Sequence, residues 1–181
     1  MALLFTVVFA AASVVIRLAP HAPNIAPIGA LALFVGTYLP RRWGWALPLI
    51  AMLVSDYMIG FYTPGVMASV YLSFAGITLI GWALRRQRSS LSIVAGALAG
   101  STLFYLITNF AVWAYSDWYP HTLSGLLSSY ALALPFFRNT AVGDVLYSAA
   151  FFGAYEAVRL AVRGKLTVPI KLGYGIQHSR H

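Results

Sequence analysis

The sequence contains no cysteine and only four acidic residues, Asp56, Asp117, Asp144 and Glu156, in 181 positions. Without cysteine there is no disulfide, no thiolate metal site and no cysteine nucleophile. Charge of either sign is scarce: charged residues make up 9% of the chain and hydrophobic residues 60%, whereas soluble domains carry about 25% charged residues. With a mean hydropathy of +0.78, a water-soluble domain of this size could not hide its apolar surface. The composition therefore defines an all-α, polytopic membrane protein. Motifs of known chemistry are also lacking. There is no P-loop, HExxH, nucleophile elbow or paired-carboxylate motif, so the chain reads as a non-enzyme with neither metal nor cofactor. Twelve Lys and Arg give a formal charge of +8. No basic–aromatic surface motif accompanies that charge, so nucleic acid is not an expected partner.

What is present is a series of apolar runs. A helix needs about 20 apolar residues to cross a bilayer, and runs at 2–19, 26–40, 43–61, 66–84, 91–116 and 139–161 predict six transmembrane helices. A seventh stretch, 122–137, is interrupted by Ser124, Gly125, Ser128, Ser129 and Pro135 and reads as an interfacial or partly inserted helix; a full crossing is the alternative. Basic residues cluster at Arg41 and Arg42, at Arg85, Arg86 and Arg88, and at Arg159, Arg163, Lys165 and Lys171. Six spans with both termini in the cytoplasm put all three clusters inside, as the positive-inside rule requires, whereas seven would expel the last. The expected location is the inner (cytoplasmic) membrane. Residues 1–165 form one transmembrane domain and 166–181 a basic cytoplasmic tail, in which His178 and His181 read as solvated. The opening "MALLFTVVFAAAS" also has the look of a signal peptide but lacks the basic leading residue. The "AGALAG" run at 95–100 has the small-xxx-small spacing of close helix packing.

In this topology the unusual polar residues gather on the outer side. Arg17 ends span one; His21 and Asn24 lie in "PHAPNIAP"; Asp56 and Tyr57 lie near the end of span three; Asn109, Trp113 and Tyr115 run out of span five; Arg138, Asn139 and Asp144 open span six. Ionisable residues inside a membrane are costly and mark function by default. These eleven are the candidate solute-binding residues. Asp56 needs a cation at its own depth, which Arg17 or Arg138 supplies; the plainer reading is a structural ion pair. Arg17 and Arg138 break the charge rule on the outer face and suggest an anionic guest. "PHAPNIAP" leads into a short helix with Pro27 at its first position, whose N-terminal N–H groups suit an anionic or carbonyl-bearing group. Asn139 or Thr140 is placed to cap span six. Belts of Trp and Tyr at the water boundary are the plainer account of the aromatic residues.

The segments "RLAPHAPNIAPIGALALFVGTYLPRR", "MLVSDYMIGFY", "LFYLITNFAVWAYSDWYPHTLSGLLSSYALALPFFRNTAVGD" and "FFGAYE" together resemble a bacterial family of small multi-pass membrane proteins that carries an unknown-function label and is described in terms of transport. More distantly, the chain is similar to the S components of energy-coupling factor vitamin transporters, by size to the solitary cobalamin branch. That resemblance implies six helices, cytoplasmic termini and an outward-facing pocket. The cobalamin branch has a cysteine near the cobalt, which is lacking here. Either cobalamin is not the solute, or His21 or His121 takes the axial role. Ala10 and Ser13 are a weak substitute for the Ala-xxx-Ala docking pair of S components.

The expected function is S-component-like transport of a small, vitamin-like, anionic or aromatic solute. The lipid bilayer surrounds the protein and an energising transporter module is a candidate partner. Two other classes remain open: a membrane scaffold or assembly subunit, and an outer-leaflet enzyme acting on lipid or isoprenoid.

Overall fold

The computed structural model describes residues 1–20, 24–40 and 44–166. His21, Arg41, Arg42 and the tail from 167, including Lys171, His178 and His181, lie outside the described residues. The described secondary structure is helical: α1 (Ala2–Leu18), α2 (Ile28–Tyr38), α3 (Ala46–Ile59), α4 (Pro64–Ala83) with a 3-10 turn (Leu84–Arg86), α5 (Ser90–Tyr115) and α6 (Leu123–Leu166). Among the described residues, three helical segments are long and apolar enough to cross a membrane: Pro64–Arg86, Ser90–Tyr115 and Leu123–Gly164. The expected six spans are thus corrected to three. α1, α2 and α3 have 17, 11 and 14 residues. Their apolar runs overstate the helices because hydrophobicity continues past the stops: Leu39 is already extended, and Gly60 ends α3 at φ 117°.

A second correction concerns 122–137. It is not a separate interfacial helix; it is continuous with the last span in the 44-residue α6, with Pro135 inside it. One proline removes one backbone donor. Of the small residues in this stretch, Gly125 and Ser129 are buried and serve packing. A Cβ on Gly125 would collide with the Pro120 carbonyl oxygen, and Ser129 Oγ bonds the Leu126 carbonyl of its own helix. Thr140 is accordingly mid-helix, donating to the Phe136 carbonyl at 2.9 Å, and caps nothing.

Consecutive helices run in opposite directions. The start of α2 and the ends of α1 and α3 meet at one end of the bundle, and the end of α2 meets Arg85, Arg88 and Glu156 at the other. α2 is the axle. Every residue from Ile28 to Thr37 is buried, walled by α1, α3, α4, α5 and α6. Its Phe34 ring meets Phe9, Phe152 and Tyr155 edge-on. Burying a helix C-terminus leaves carbonyls without partners, and Arg85 supplies them. Its Nε donates to the Gly36 carbonyl at 2.8 Å and a terminal nitrogen donates to that of Leu39, where a cation also complements the helix dipole. Near their C-terminal ends, α2 and α4 touch through Gly36 and Gly81. In "AGALAG", Gly96 and Gly100 are buried against α2 and α4, while Ala95 and Ala99 are exposed.

Candidate functional site

The turn between α1 and α2 brings Arg17 and the α2 N-terminus together. α1 stops at Ala19, which is extended. Asn24 has a left-handed φ of 62°, a conformation that asparagine tolerates better than most residues. Pro27 occupies the cap position of α2, one residue before the first-turn place expected of it.

Two acidic centres follow. In the first, Arg17 Nη2 lies 2.7 Å from Asp56 Oδ1, and Asp56 is 1% exposed. Arg17 Nη1 also donates to Ser55 Oγ, and Tyr71 Oη donates to Asp56 Oδ2 at 2.9 Å. Asp56 therefore takes its cation from Arg17. Tyr62, in the loop beside this pair, has its phenol pushed up to about 12 by desolvation of the hydroxyl and by the Asp56 charge, so it stays a neutral donor. In the second centre, Asp144 is 5% exposed. Ser101 Oγ lies 2.6 Å from its Oδ2 and 3.0 Å from the Ala97 carbonyl, and one hydroxyl proton serves these two acceptors in turn. The carboxylate rests on Gly29, where a Cβ would overlap it. No basic side chain forms an ion pair with Asp144 among the described residues.

Both centres border one cavity of about 220 Å³. Its polar wall includes Arg17, Asn24, Tyr62, Thr140 and Asp144, and its apolar wall includes Met52, Phe74, Ile77 and Phe104. A neighbouring cavity of about 350 Å³ shares Asn24, Phe104 and Thr140 with it and adds Asn109 and Trp118. A third, of about 270 Å³, shares Tyr62 with the first and Trp118 with the second.

The eleven candidates therefore divide. Arg17, Asn24 and Asp144 line the first cavity, Asp56 holds Arg17 from behind, and Asn109 lines the second cavity while donating to the Tyr105 carbonyl. Arg138 is exposed on α6, and Asn139 beside it is half-buried. Tyr57 is 77% exposed, and the exposed ring of Tyr115 covers Gly65. Trp113 Nε1 donates to the Pro120 carbonyl at 3.1 Å and its ring meets His121 edge-on, so it holds the α5–α6 turn. His21 lies outside the described residues. Gly29, Ser101, Thr140 and Tyr71 were missed as site residues. Ser101 and Thr140 carry only the weak signal of a hydroxyl within an apolar run.

The fold and this site define a helical protein with three helices long and apolar enough to cross a membrane and a small polar-mouthed cavity at one end of its bundle. The chain belongs to a family of unknown function (DUF6580), whose model matches residues 1–166. No curated protein and no solved structure matches it.

Proposed function

We propose that the protein is a multi-pass solute-binding transport protein of the inner membrane, S-component-like in carrying a pocket but no motor of its own. The carrying observation is the cavity. In a largely apolar bundle, it gathers Arg17 from α1, Thr140 and Asp144 from α6, and Asn24 and Tyr62 from the loops. Burying such groups is costly unless they are used. Arg85, Arg86, Arg88, Arg159, Arg163 and Lys165 belong to the other end of the chain path, which the positive-inside rule assigns to the cytoplasm. The cavity then faces outward, and the C-terminal ends of α4 and α6 face the cytoplasm. Its volume bears on the solute. About 220 Å³ is below the roughly 300–1,000 Å³ of clefts that hold drug-sized ligands. A small molecule fits and a corrinoid does not. With no P-loop, energy for uptake comes from a partner module or a gradient.

Native mass spectrometry of the detergent-purified protein tests this reading. A small molecule is retained by the wild type and lost from Thr140→Phe, which fills the cavity, while Arg138→Ala keeps it. Equal retention by Thr140→Phe would place the solute elsewhere, and a protein that holds nothing and is stabilised by no small solute would sink the reading.

A further inference from the structure

The charge at the cavity narrows the solute class. Arg17 is committed: its guanidinium faces the Asp56 carboxylate at 2.7 Å and also donates to Ser55. That pair is neutral as a unit. Asp144 lines the same cavity, is 5% exposed, and holds one neutral partner, Ser101, at 2.6 Å. Around the cavity the described residues thus leave one acidic group, Asp144, without a cation. Arg138, the second cation expected to receive an anion, stands on the exposed face of α6.

We propose that the cavity binds a small organic cation, a protonated amine seated on Asp144 with its apolar body against Phe74, Ile77 and Phe104. The inference rests on the solute-binding reading above and deepens it. Asp144 Oδ1 has no hydrogen-bond donor among the described residues, whereas Oδ2 has Ser101. The α2 N-terminus beside it contributes the equivalent of about half a positive charge, which offsets part of the carboxylate and leaves the rest for a guest. An ammonium N–H fills the open position with a charge-assisted hydrogen bond, stronger than a neutral one. Phe74 and Phe104, with ring centroids 5.4 Å apart, offer π faces that attract a cation. A bare metal ion fits less well. Hard cations take about six or more oxygen ligands, while much of this wall is carbon. Gly29 is part of the device, because the lack of a Cβ there is what lets the carboxylate lie against α2.

The test uses the full chain in detergent and three probes of one shape: phenethylammonium, 2-phenylethanol and phenylacetate. Thermal stabilisation should be largest for the ammonium, smaller for the alcohol and least for the carboxylate. In Asp144→Asn the ammonium should bind at least about tenfold more weakly, the scale of one lost charge-assisted contact, while the alcohol is unaffected. In Arg138→Ala the order is unchanged. Because the wild-type charge series needs no variant, the proposal remains falsifiable if Asp144→Asn fails to fold. Phenylacetate or phenylethanol binding as well as the ammonium would overturn cation selectivity and leave the cavity reading standing. An unchanged ammonium affinity in Asp144→Asn would do the same. If none of the three binds, the cation proposal falls, and the cavity reading falls with it only if native mass spectrometry also finds nothing retained.

Discussion

Gly36 of α2 and Gly81 of α4 lie face to face, so close that a Cβ built on either would stand about 3.0 Å or less from the Cα of the other. The same Cβ atoms would also meet the carbonyl oxygens of Thr78 and Leu33. Backbone cannot swing aside as a side-chain tip can. Gly36→Ala and Gly81→Ala are each expected to destabilise by about 1–3 kcal/mol, the usual cost of overpacking, measured as a lower midpoint of thermal unfolding in detergent. Gly153→Ala, where the added atom meets open space, should be neutral or stabilise by up to about 1 kcal/mol through helix propensity. Equal effects at all three positions would show that the α2–α4 contact is looser than described.

Removing Arg17 strands the buried Asp56 carboxylate. Arg17→Ala should cost about 3–5 kcal/mol, whereas the double replacement Arg17→Met with Asp56→Leu should recover most of that loss, since well-packed apolar pairs often replace buried ion pairs without penalty. Arg138→Ala should stay within about 0.5 kcal/mol of wild type, as exposed substitutions usually do. The comparison of single and double variants is the deciding measurement; a double variant no better than the single would argue that the pair is not the reason for the loss.

Arg85 and Arg86 are neighbours with different duties. Arg85→Gln removes the guanidinium bonded to the Gly36 and Leu39 carbonyls and should cost about 1–3 kcal/mol, the range for unsatisfied buried acceptors. Arg86 is exposed, and Arg86→Gln should leave the unfolding midpoint where it was.

The absence of cysteine makes orientation directly measurable. Asp117→Cys and Arg163→Cys each create a single thiol on the same background. In intact cells a membrane-impermeant maleimide should label position 117 and reach position 163 only after permeabilisation. The reverse pattern would invert the proposed topology.

The sequence conveyed the all-helical class and the apolar, membrane-length helices, because charge is too scarce to cover so much apolar surface. It also picked out Arg17, Asn24 and Asp144, whose polarity stands out against apolar neighbours. It misjudged helix length where apolar residues continue beyond a proline or glycine stop, as at Leu39 and Gly60. It read Ser124, Gly125 and Pro135 as a break because spacing cannot tell a small residue that ends a helix from one, like Gly125, that lets a neighbouring loop pack closely. Arg138 stands on the exposed face of α6, and position along the chain says nothing about which way a side chain turns. Arg85 counted only as topology, although its guanidinium is what completes the buried end of α2.

That burial has a consequence for biogenesis. An 11-residue helix extends about 16 Å at helical rise, roughly half the hydrocarbon thickness, and walled in by protein it keeps no flank for lipid tails. It therefore has no stable station in the bilayer by itself. α2 must wait, held between its neighbours as the ribosome proceeds, until α4, α5 and α6 have been made and can close around it.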